Sequence, residues 1–439
     1  MAEINTDGYE KILEQCGQFG FYQKRTYFLI CALQAVCVSL LAYSSYSCDG
    51  NEPCPIYAGG ASGATTPAMA VHVLQSTHFD YETNMSAYIN SSMTAFDTTQ
   101  ISTLQQVYNE NCVNIMATDD GLTIVLLGVA VGALIGGMLA DILGRRPIMF
   151  ISMALALIFQ ILMVTVKTCL TFATLRTLCG VFSGGFLVIS IVLPLEVVGR
   201  RWRDFCVCLW IWALGLPIIS FEAAIVNGWR NIALTSGLVG LPFLGLYFLV
   251  PESSRWLTSL QHFQKAENSI KEMISCNTRA VPNVLELCDD TRIYVMSISH
   301  PRRHTYLDLF HTVTVTKSTS AVLYTWFVGC FVYCNLLHKV ESLTGDHHFD
   351  IFLPFVLDMP ICMSAVIINK CIGRRWCMFL YAVSSGFSMF CVLILHMMGD
   401  LHKYPYMMTA LAAFSKMGVA TALSLLTLIT VEAYPTVIR

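Results

Sequence analysis

The amino-acid sequence predicts an all-α membrane protein, and three observations indicate this class. Of the 439 residues, 55% are apolar and only 13% are charged, which leaves too little polar surface to cover soluble domains. Ten apolar runs of about twenty residues are each long enough to cross a hydrocarbon core of about 30 Å as a helix. The 26 Lys and Arg nearly balance the 29 Asp and Glu without forming a basic block, which excludes nucleic-acid binding.

The ten runs define the predicted organisation of the chain. They cover 26–46, 121–140, 147–166, 172–195, 204–226, 232–251, 319–338, 349–369, 376–398 and 404–430. The first run follows a polar segment and has no small-residue cleavage site, so it is interpreted as an anchor that stays in the mature protein. We expect an N-terminal bundle of six helices over 26–251, a cytoplasmic linker over 252–318 and a partial C-terminal bundle over 319–439.

Basic residues predict the orientation of the chain in the membrane. With residues 1–25 in the cytoplasm, 20 of the 26 Lys and Arg fall on the cytoplasmic side. The segment 48–120 has no Lys or Arg and is therefore expected outside, where sequons predict glycosylation of Asn84 and Asn90. Cys48, Cys54 and Cys112 share this oxidising compartment, and the sequence does not choose which pair is bridged.

Three glycines at a spacing of four residues predict close packing of the second run against a neighbouring helix. These are Gly128, Gly132 and Gly136. Small residues at this spacing let two backbones approach closely in lipid. A phosphate-binding loop is rejected, because it would require a flanking strand in a soluble fold.

Two motifs recur along the chain at nearly constant offsets. The triplet Gly144-Arg145-Arg146 returns at 373–375, and Glu196 with Arg203 seven residues later returns as Glu432 with Arg439. Each match alone is weak, but together and in order they predict two parallel six-helix repeats, the arrangement of major facilitator transporters. On this prediction ten of the expected twelve helices are present, and the second half is expected to continue past Arg439.

Further motifs specify the resemblance. Residues 137–147 (GMLADILGRRP) resemble the loop between helices 2 and 3 of the major facilitator superfamily, although Ile142 stands where the family places a basic residue. Residues 251–257 (PESSRWL) resemble a signature of sugar transporters and their organic-ion relatives. The large exterior loop, residues 307–310 (LDLF) and residues 432–439 (EAYPTVIR) resemble the organic cation, anion and zwitterion transporter family, of the solute carrier family 22 type.

The resemblance implies residues that control conformation. Charged groups at helix ends are suited to networks that hold one transporter conformation and release it in another. The conformational candidates are Asp141, Gly144, Arg145, Arg146, Arg176, Glu196, Arg203, Glu252, Arg255, Gly373, Arg374, Glu432 and Arg439.

The candidate substrate-binding residues are Trp326, Tyr333, Asp358, Ser424 and Glu222. Trp326 and Tyr333 lie seven residues apart on one helix face, where they either offer ring faces to an organic cation or serve as interfacial or core aromatics. Asp358 either faces the substrate cavity or pairs structurally with Lys416, and Glu222 lies either on the cavity or near the exterior interface.

Two departures from the family affect the predicted charge of the substrate. Cys362 stands where anion-carrying relatives often place a lysine, which favours cations or zwitterions over anions. Leu187 stands where cation-carrying relatives place an aromatic residue, which departs from their usual cation site. Metal binding is not predicted, because His347 with His348 and Cys206 with Cys208 each lack two further ligands.

These observations predict a polyspecific secondary transporter or facilitator that moves organic ions, with cations or zwitterions favoured, across the plasma membrane by alternating access. The alternatives are an organic anion or sugar-like solute carrier, and a non-transporting, receptor-like or truncated inactive relative. We expect no enzymatic activity and no cofactor. The expected partners are a small organic ion and the lipid bilayer, without nucleic acid, and the sequence does not predict the oligomeric state.

Overall fold

The computed structural model describes residues 4–42, 118–166, 169–209, 212–226, 229–277, 313–340, 347–397 and 405–434. Within these ranges every regular element is a helix. The predicted glycosylation sites Asn84 and Asn90, the three cysteines that the sequence predicts to be exterior, and Arg439 lie outside the described residues.

Fourteen α-helices are present in the described ranges. They are α1 (Ile4–Cys16), α2 (Phe21–Ala42), α3 (Thr118–Leu143), α4 (Arg145–Leu162), α5 (Cys169–Val197), α6 (Arg203–Cys208), α7 (Trp212–Ile225), α8 (Trp229–Gly240), α9 (Ser254–Ser259), α10 (Phe263–Cys276), α11 (Val313–Val340), α12 (His347–Ile372), α13 (Arg374–Met397) and α14 (Pro405–Ala433). Three 3₁₀ segments cover Met163–Thr165, Arg200–Trp202 and Leu241–Phe248.

Eight helical segments of the described chain are long and apolar enough to cross a membrane. They correspond to eight of the ten predicted runs, so the all-α membrane class is confirmed and the count of ten is confirmed only in part. The run 349–369 lies within α12. The first spanning segment covers Phe21–Ala42 and therefore begins five residues before the predicted start at residue 26.

The structure corrects two predicted runs. The run 204–226 is not one helix: α6 ends at Cys208 and α7 begins at Trp212. The hydroxyl of Tyr27 donates hydrogen bonds to the carbonyls of Cys206 (2.8 Å) and Leu209 (3.2 Å), which satisfies acceptors at this helix end. The run 232–251 changes from α-helix to 3₁₀-helix after Gly240, where Pro242 has no N–H to continue the α-helical ladder.

The glycine repeat of α3 packs directly against α5, as predicted. A Cβ atom added at Gly132 would overlap the carbonyl oxygen of Val181, and one at Gly136 would overlap the Cα of Gly185. Gly137, one residue further along α3, has open space where a Cβ would stand. Because Gly132 and Gly136 have no side chain, the backbones of α3 and α5 come into contact along this one face of α3.

Arg176 joins three helices of the N-terminal half. Its guanidinium is buried and donates to the carbonyls of Leu40 (2.9 Å) and Leu41 (2.8 Å) at the C-terminal end of α2. It also donates to Gln160 Oε1 of α4 at 3.4 Å. A cation at a helix C-terminus satisfies carbonyls that lack helical partners and complements the helix dipole.

The C-terminal helices pack around α14, which contacts α11, α12 and α13. The hydroxyl of Ser385 on α13 lies 2.8 Å from the hydroxyl of Ser415 on α14, deep in this contact. The two halves meet where α7 packs on α12 and where α6 packs on α12 and α14. The opposite faces of α11 and α13 expose large apolar side chains, such as Phe327 and Phe387, as a lipid-facing surface does.

Candidate functional site

The centre of the C-terminal half contains a buried ion pair between α12 and α14. Lys416 Nζ donates to Asp358 Oδ2 at 2.9 Å, and the exposed fractions of the two residues are 0% and 5%. The pairing is therefore one of the two alternatives that the sequence left open for Asp358. A buried pair of this kind is costly to desolvate, and removal of either partner would leave an uncompensated buried charge.

The carboxylate of Asp358 is only partly satisfied. Its Oδ1 atom is buried and accepts no hydrogen bond from any described residue. Tyr333 of α11 flanks the pair, with its ring centroid 6.0 Å from Lys416 Nζ. The free oxygen is an acceptor in a low-dielectric setting, where a hydrogen-bond donor is strongly favoured.

Further polar groups follow this pair along the contact between α12 and α14. Cys362 Sγ lies 3.4 Å from Thr421 Oγ1. Ser424 is buried on the same stretch of α14, and its hydroxyl donates to the carbonyl of Ala420 at 3.0 Å. Thus Asp358, Tyr333 and Ser424 belong to one polar strip of the C-terminal half.

Trp326 and Glu222 lie apart from the ion pair. Trp326 is two helical turns from Tyr333, and its Nε1 donates to Thr430 Oγ1 of α14 at 3.1 Å. Glu222 of α7 is oriented toward Thr235 of α8, and its Oε1 is buried without a hydrogen-bond partner among the described residues. The five substrate-binding candidates therefore do not form one cluster.

The charged motifs gather at one end of the bundle, hereafter the arginine-rich end, which carries Arg145, Arg203, Arg255 and Arg374. Arg145 bridges Asp141 of α3 and Glu196 of α5, with nitrogen to oxygen distances of 3.0 Å to each. Asp141 and Glu196 thus share one buried guanidinium, which links three helices. Ile142, which stands where the family places a basic residue, is exposed and adds no charge to this network.

Glu252 ties the PESSRWL segment to the Gly-Arg-Arg turn. Its Oε1 accepts hydrogen bonds from the backbone N–H groups of Arg145 and Arg146, both at 3.1 Å, at the first turn of α4. An acidic group at a helix N-terminus satisfies donors that have no helical partner. Burial raises the pKa of Glu252, and the hydrogen bonds from these N–H groups oppose the shift. Gly144 adopts a positive φ of 117°, so the turn itself requires glycine.

Glu10 of α1 is part of this network, and sequence reasoning missed it. Its Oε1 lies 2.5 Å from Arg203 Nη2 and 3.2 Å from Arg255 Nη1. The Nε of Arg203 also donates to the carbonyl of Leu195 at 2.9 Å, near the end of α5. Ile12 and Leu13 are buried against other helices, and these two apolar positions in an otherwise polar segment were the available signal that α1 packs against the bundle.

The second half repeats the arrangement and adds a link between halves. Arg374 pairs with Glu432, as Arg145 pairs with Glu196, and Gly373 has a positive φ of 89° like its counterpart. Arg374 also lies 3.3 Å from Asp204 of α6. Asp204 was missed by sequence reasoning, although its position beside Arg203 at the start of an apolar run was a signal.

A small cavity of about 20 Å³ lies at the contact between the halves. Gln34 and Ser190 from the N-terminal half and Thr427 from α14 are among its lining residues. The amide nitrogen of Gln34 donates to both the carbonyl and the hydroxyl of Ser190 at 3.1 Å. Within the described ranges no three His, Cys, Asp or Glu side chains come together as a metal site requires.

The helix arrangement and the paired charge networks define a major facilitator fold. The fold is similar to that of the proton:xylose symporter XylE bound to 6-bromo-6-deoxy-D-glucose, with a TM-score of 0.65 and 16% identity over 95% of this chain and 84% of that chain. A family model described as "Sugar (and other) transporter" matches residues 68–439. The chain belongs to this family, and the predicted membership of the major facilitator superfamily is confirmed.

Two curated relatives of this chain are named as organic-ion transporters. The "Organic cation transporter protein" of Drosophila melanogaster is 25% identical over 98% of this chain and 82% of its own length. The "Organic cation/carnitine transporter 2" of Homo sapiens is 26% identical over 77% of this chain and 60% of its own length. The match therefore spans less than two thirds of the second relative.

Proposed function

We propose that this protein is a polyspecific secondary transporter or facilitator for small organic ions, with cations or zwitterions favoured over anions. The observation that carries the proposal is the buried Asp358 carboxylate, which has one oxygen without a described partner beside Lys416 and Tyr333. An ionisable group inside a membrane bundle is expensive unless it serves a site. The names of the two relatives, which specify organic cations and carnitine, support the same class of substrate.

The proposed mechanism is alternating access between two bundles, 26–251 and 319–439, joined by the linker 252–318. The substrate binds near the middle of the membrane, beside Asp358, Tyr333 and Ser424. Closure at the arginine-rich end uses the contact from Asp204 to Arg374 and Asn369, which joins the halves. The pairs centred on Arg145 and Arg203 keep the N-terminal bundle rigid while the bundles move.

The proposed orientation follows the basic residues. The arginine-rich end faces the cytoplasm together with the N-terminus, because Lys and Arg are retained on that side. The segment 48–120, with its glycosylation sites Asn84 and Asn90, faces the exterior of the plasma membrane.

Uptake into proteoliposomes tests the proposed function. Purified protein is reconstituted, and uptake of radiolabelled tetraethylammonium is measured against protein-free vesicles. We expect saturable uptake that Asp358→Asn reduces by about five-fold or more, because the buried charge of Lys416 is then uncompensated and repels a bound cation in a low-dielectric site. Glu267→Gln, which removes a partly exposed charge that pairs with Lys271 within α10, serves as the matched control and should transport normally. Absence of saturable uptake of any organic ion would favour the non-transporting alternative.

A further inference from the structure

We propose that Lys416 is the residue that sets substrate charge, and that the site prefers a zwitterion whose ammonium group takes Asp358 and whose carboxylate takes Lys416. This inference rests on the proposed function and specifies its substrate class. It is carried by the geometry of the ion pair, since both charges are buried and in contact before any substrate binds.

The net charge of the site supplies the physical reason. Asp358 and Lys416 together contribute zero charge, and each neutralises the other at 2.9 Å. A monovalent cation bound there would leave one uncompensated positive charge, and a monovalent anion one negative charge, in a setting where unpaired charges are costly. A zwitterion leaves the sum at zero and replaces one internal ion pair with two ion pairs to substrate.

The contacts around the pair favour this exchange. Asp358 Oδ1 already lacks a described partner, so a positively charged head group gains a charge contact with this oxygen before the internal pair is broken. The ring of Tyr333 lies 6.0 Å from the Lys416 ammonium and would also stabilise the ammonium group of the substrate. Lys416 on α14 and Asp358 on α12 then bind opposite ends of one molecule, which couples substrate binding to the contact between these two helices.

Two probes with the same head group test the inference. Glycine betaine and tetramethylammonium both carry a quaternary ammonium, but only glycine betaine carries a carboxylate. Uptake of each is measured in proteoliposomes for the full chain and for Lys416→Met. We expect the wild-type chain to prefer glycine betaine, and Lys416→Met to shift the ratio of the two KM values toward tetramethylammonium by about ten-fold or more. Lys370→Met, which removes an exposed lysine at the end of α12, is the matched control and should leave the ratio unchanged.

Each outcome decides between the proposals. An unchanged KM ratio in Lys416→Met, with both probes still transported, would overturn the inference and leave the proposed function standing. Absence of uptake of both probes by a wild-type chain that still takes up tetraethylammonium would overturn the inference alone, whereas absence of uptake of all three ions would overturn the proposed function as well. If Lys416→Met does not fold because Asp358 is left alone, the double variant Asp358→Asn with Lys416→Met removes both charges. We expect it to lose the preference for glycine betaine, and a retained preference would overturn the inference.

Discussion

Asp204 of the N-terminal half lies 3.3 Å from Arg374 of the C-terminal half, at the arginine-rich end. The same carboxylate accepts a hydrogen bond from Asn369 Nδ2 at 2.7 Å. Arg374 also pairs with Glu432, which belongs to its own half. Separation of the halves would break the contacts of Asp204 and leave the pair of Arg374 with Glu432 intact, so Asp204 is the partner that opposes opening.

We therefore expect Asp204→Asn to favour opening at the arginine-rich end. Loss of a partly exposed ion pair costs about 1 kcal/mol, which shifts the equilibrium about five-fold. Cys208, one helical turn further along α6, is buried in the described conformation and reports the change. Its alkylation by N-ethylmaleimide, measured by mass spectrometry of purified protein, should be about five-fold faster in Asp204→Asn. Glu267→Gln is the charge-matched control, and equal labelling rates in Asp204→Asn and the wild type would contradict this role.

A second prediction concerns the contact of α3 with α5. Gly132→Ala should destabilise the fold by about 1–3 kcal/mol, because the added methyl group would overlap the backbone of Val181 and force the helices apart. Gly137→Ala, on the same helix with open space around it, should leave stability unchanged or slightly raised. The midpoint of thermal unfolding in detergent measures both. Equal midpoints for the two variants would show that the close approach contributes no stability.

The sequence predicted those features that depend on residues close to one another along the chain. The spacing of Gly132 and its neighbours predicted a helix contact, and the Gly-Arg-Arg triplet predicted matching turns in the two halves. Both are present, and each turn uses a positive φ at its glycine. These features depend on residues within one helix or one turn, which a single sequence displays directly.

The missed residues have partners that are distant along the chain. Glu10 reaches Arg203 across 193 positions and Arg255 across 245 positions. No local spacing reports such contacts, because they depend on how helices assemble. The same limit explains why Glu222 was grouped with Asp358: both are acids in apolar runs, but only the packing of α7 against α8 shows that Glu222 is oriented toward Thr235.

Removal of the Glu10 charge should destabilise the arginine-rich end. In Glu10→Gln, the buried guanidinium groups of Arg203 and Arg255 lose a shared carboxylate, which we expect to cost about 1–3 kcal/mol. Glu14→Gln changes an exposed position one turn away on α1 and serves as the control. The thermal midpoint in detergent should fall for Glu10→Gln alone. A fall of the same size in Glu14→Gln would point to a general effect of charge on α1.

The proposed orientation predicts glycosylation of the segment 48–120. Enzymatic removal of N-linked glycans should increase the electrophoretic mobility of the wild-type chain expressed in eukaryotic cells. The double variant Asn84→Gln with Asn90→Gln should run at the mobility of the treated protein. A tag inserted after Thr94 should be reached by impermeant reagents on intact cells. Labelling of that tag only after permeabilisation would contradict the orientation.

The last prediction separates two roles for Trp326. Trp326 lies two helical turns from Tyr333 on α11, and its indole N–H donates to Thr430 of α14. We therefore expect Trp326 to hold α11 against α14 and to have little effect on substrate affinity. In a double-mutant cycle, Trp326→Phe keeps most of the aromatic ring and removes the N–H, while Thr430→Val removes the acceptor.

Each single variant in this cycle should destabilise the protein by about 0.5–1.5 kcal/mol, and the two effects should not add, because both remove the same hydrogen bond. The KM for tetraethylammonium should stay within about two-fold of the wild-type value, because the indole N–H is donated to Thr430 and not to the substrate. Additive destabilisation would show that the hydrogen bond is not what joins the two helices. A rise in KM of about ten-fold in Trp326→Phe, with unchanged stability, would instead place Trp326 in contact with the substrate, since a lost contact of about 1.4 kcal/mol corresponds to that factor.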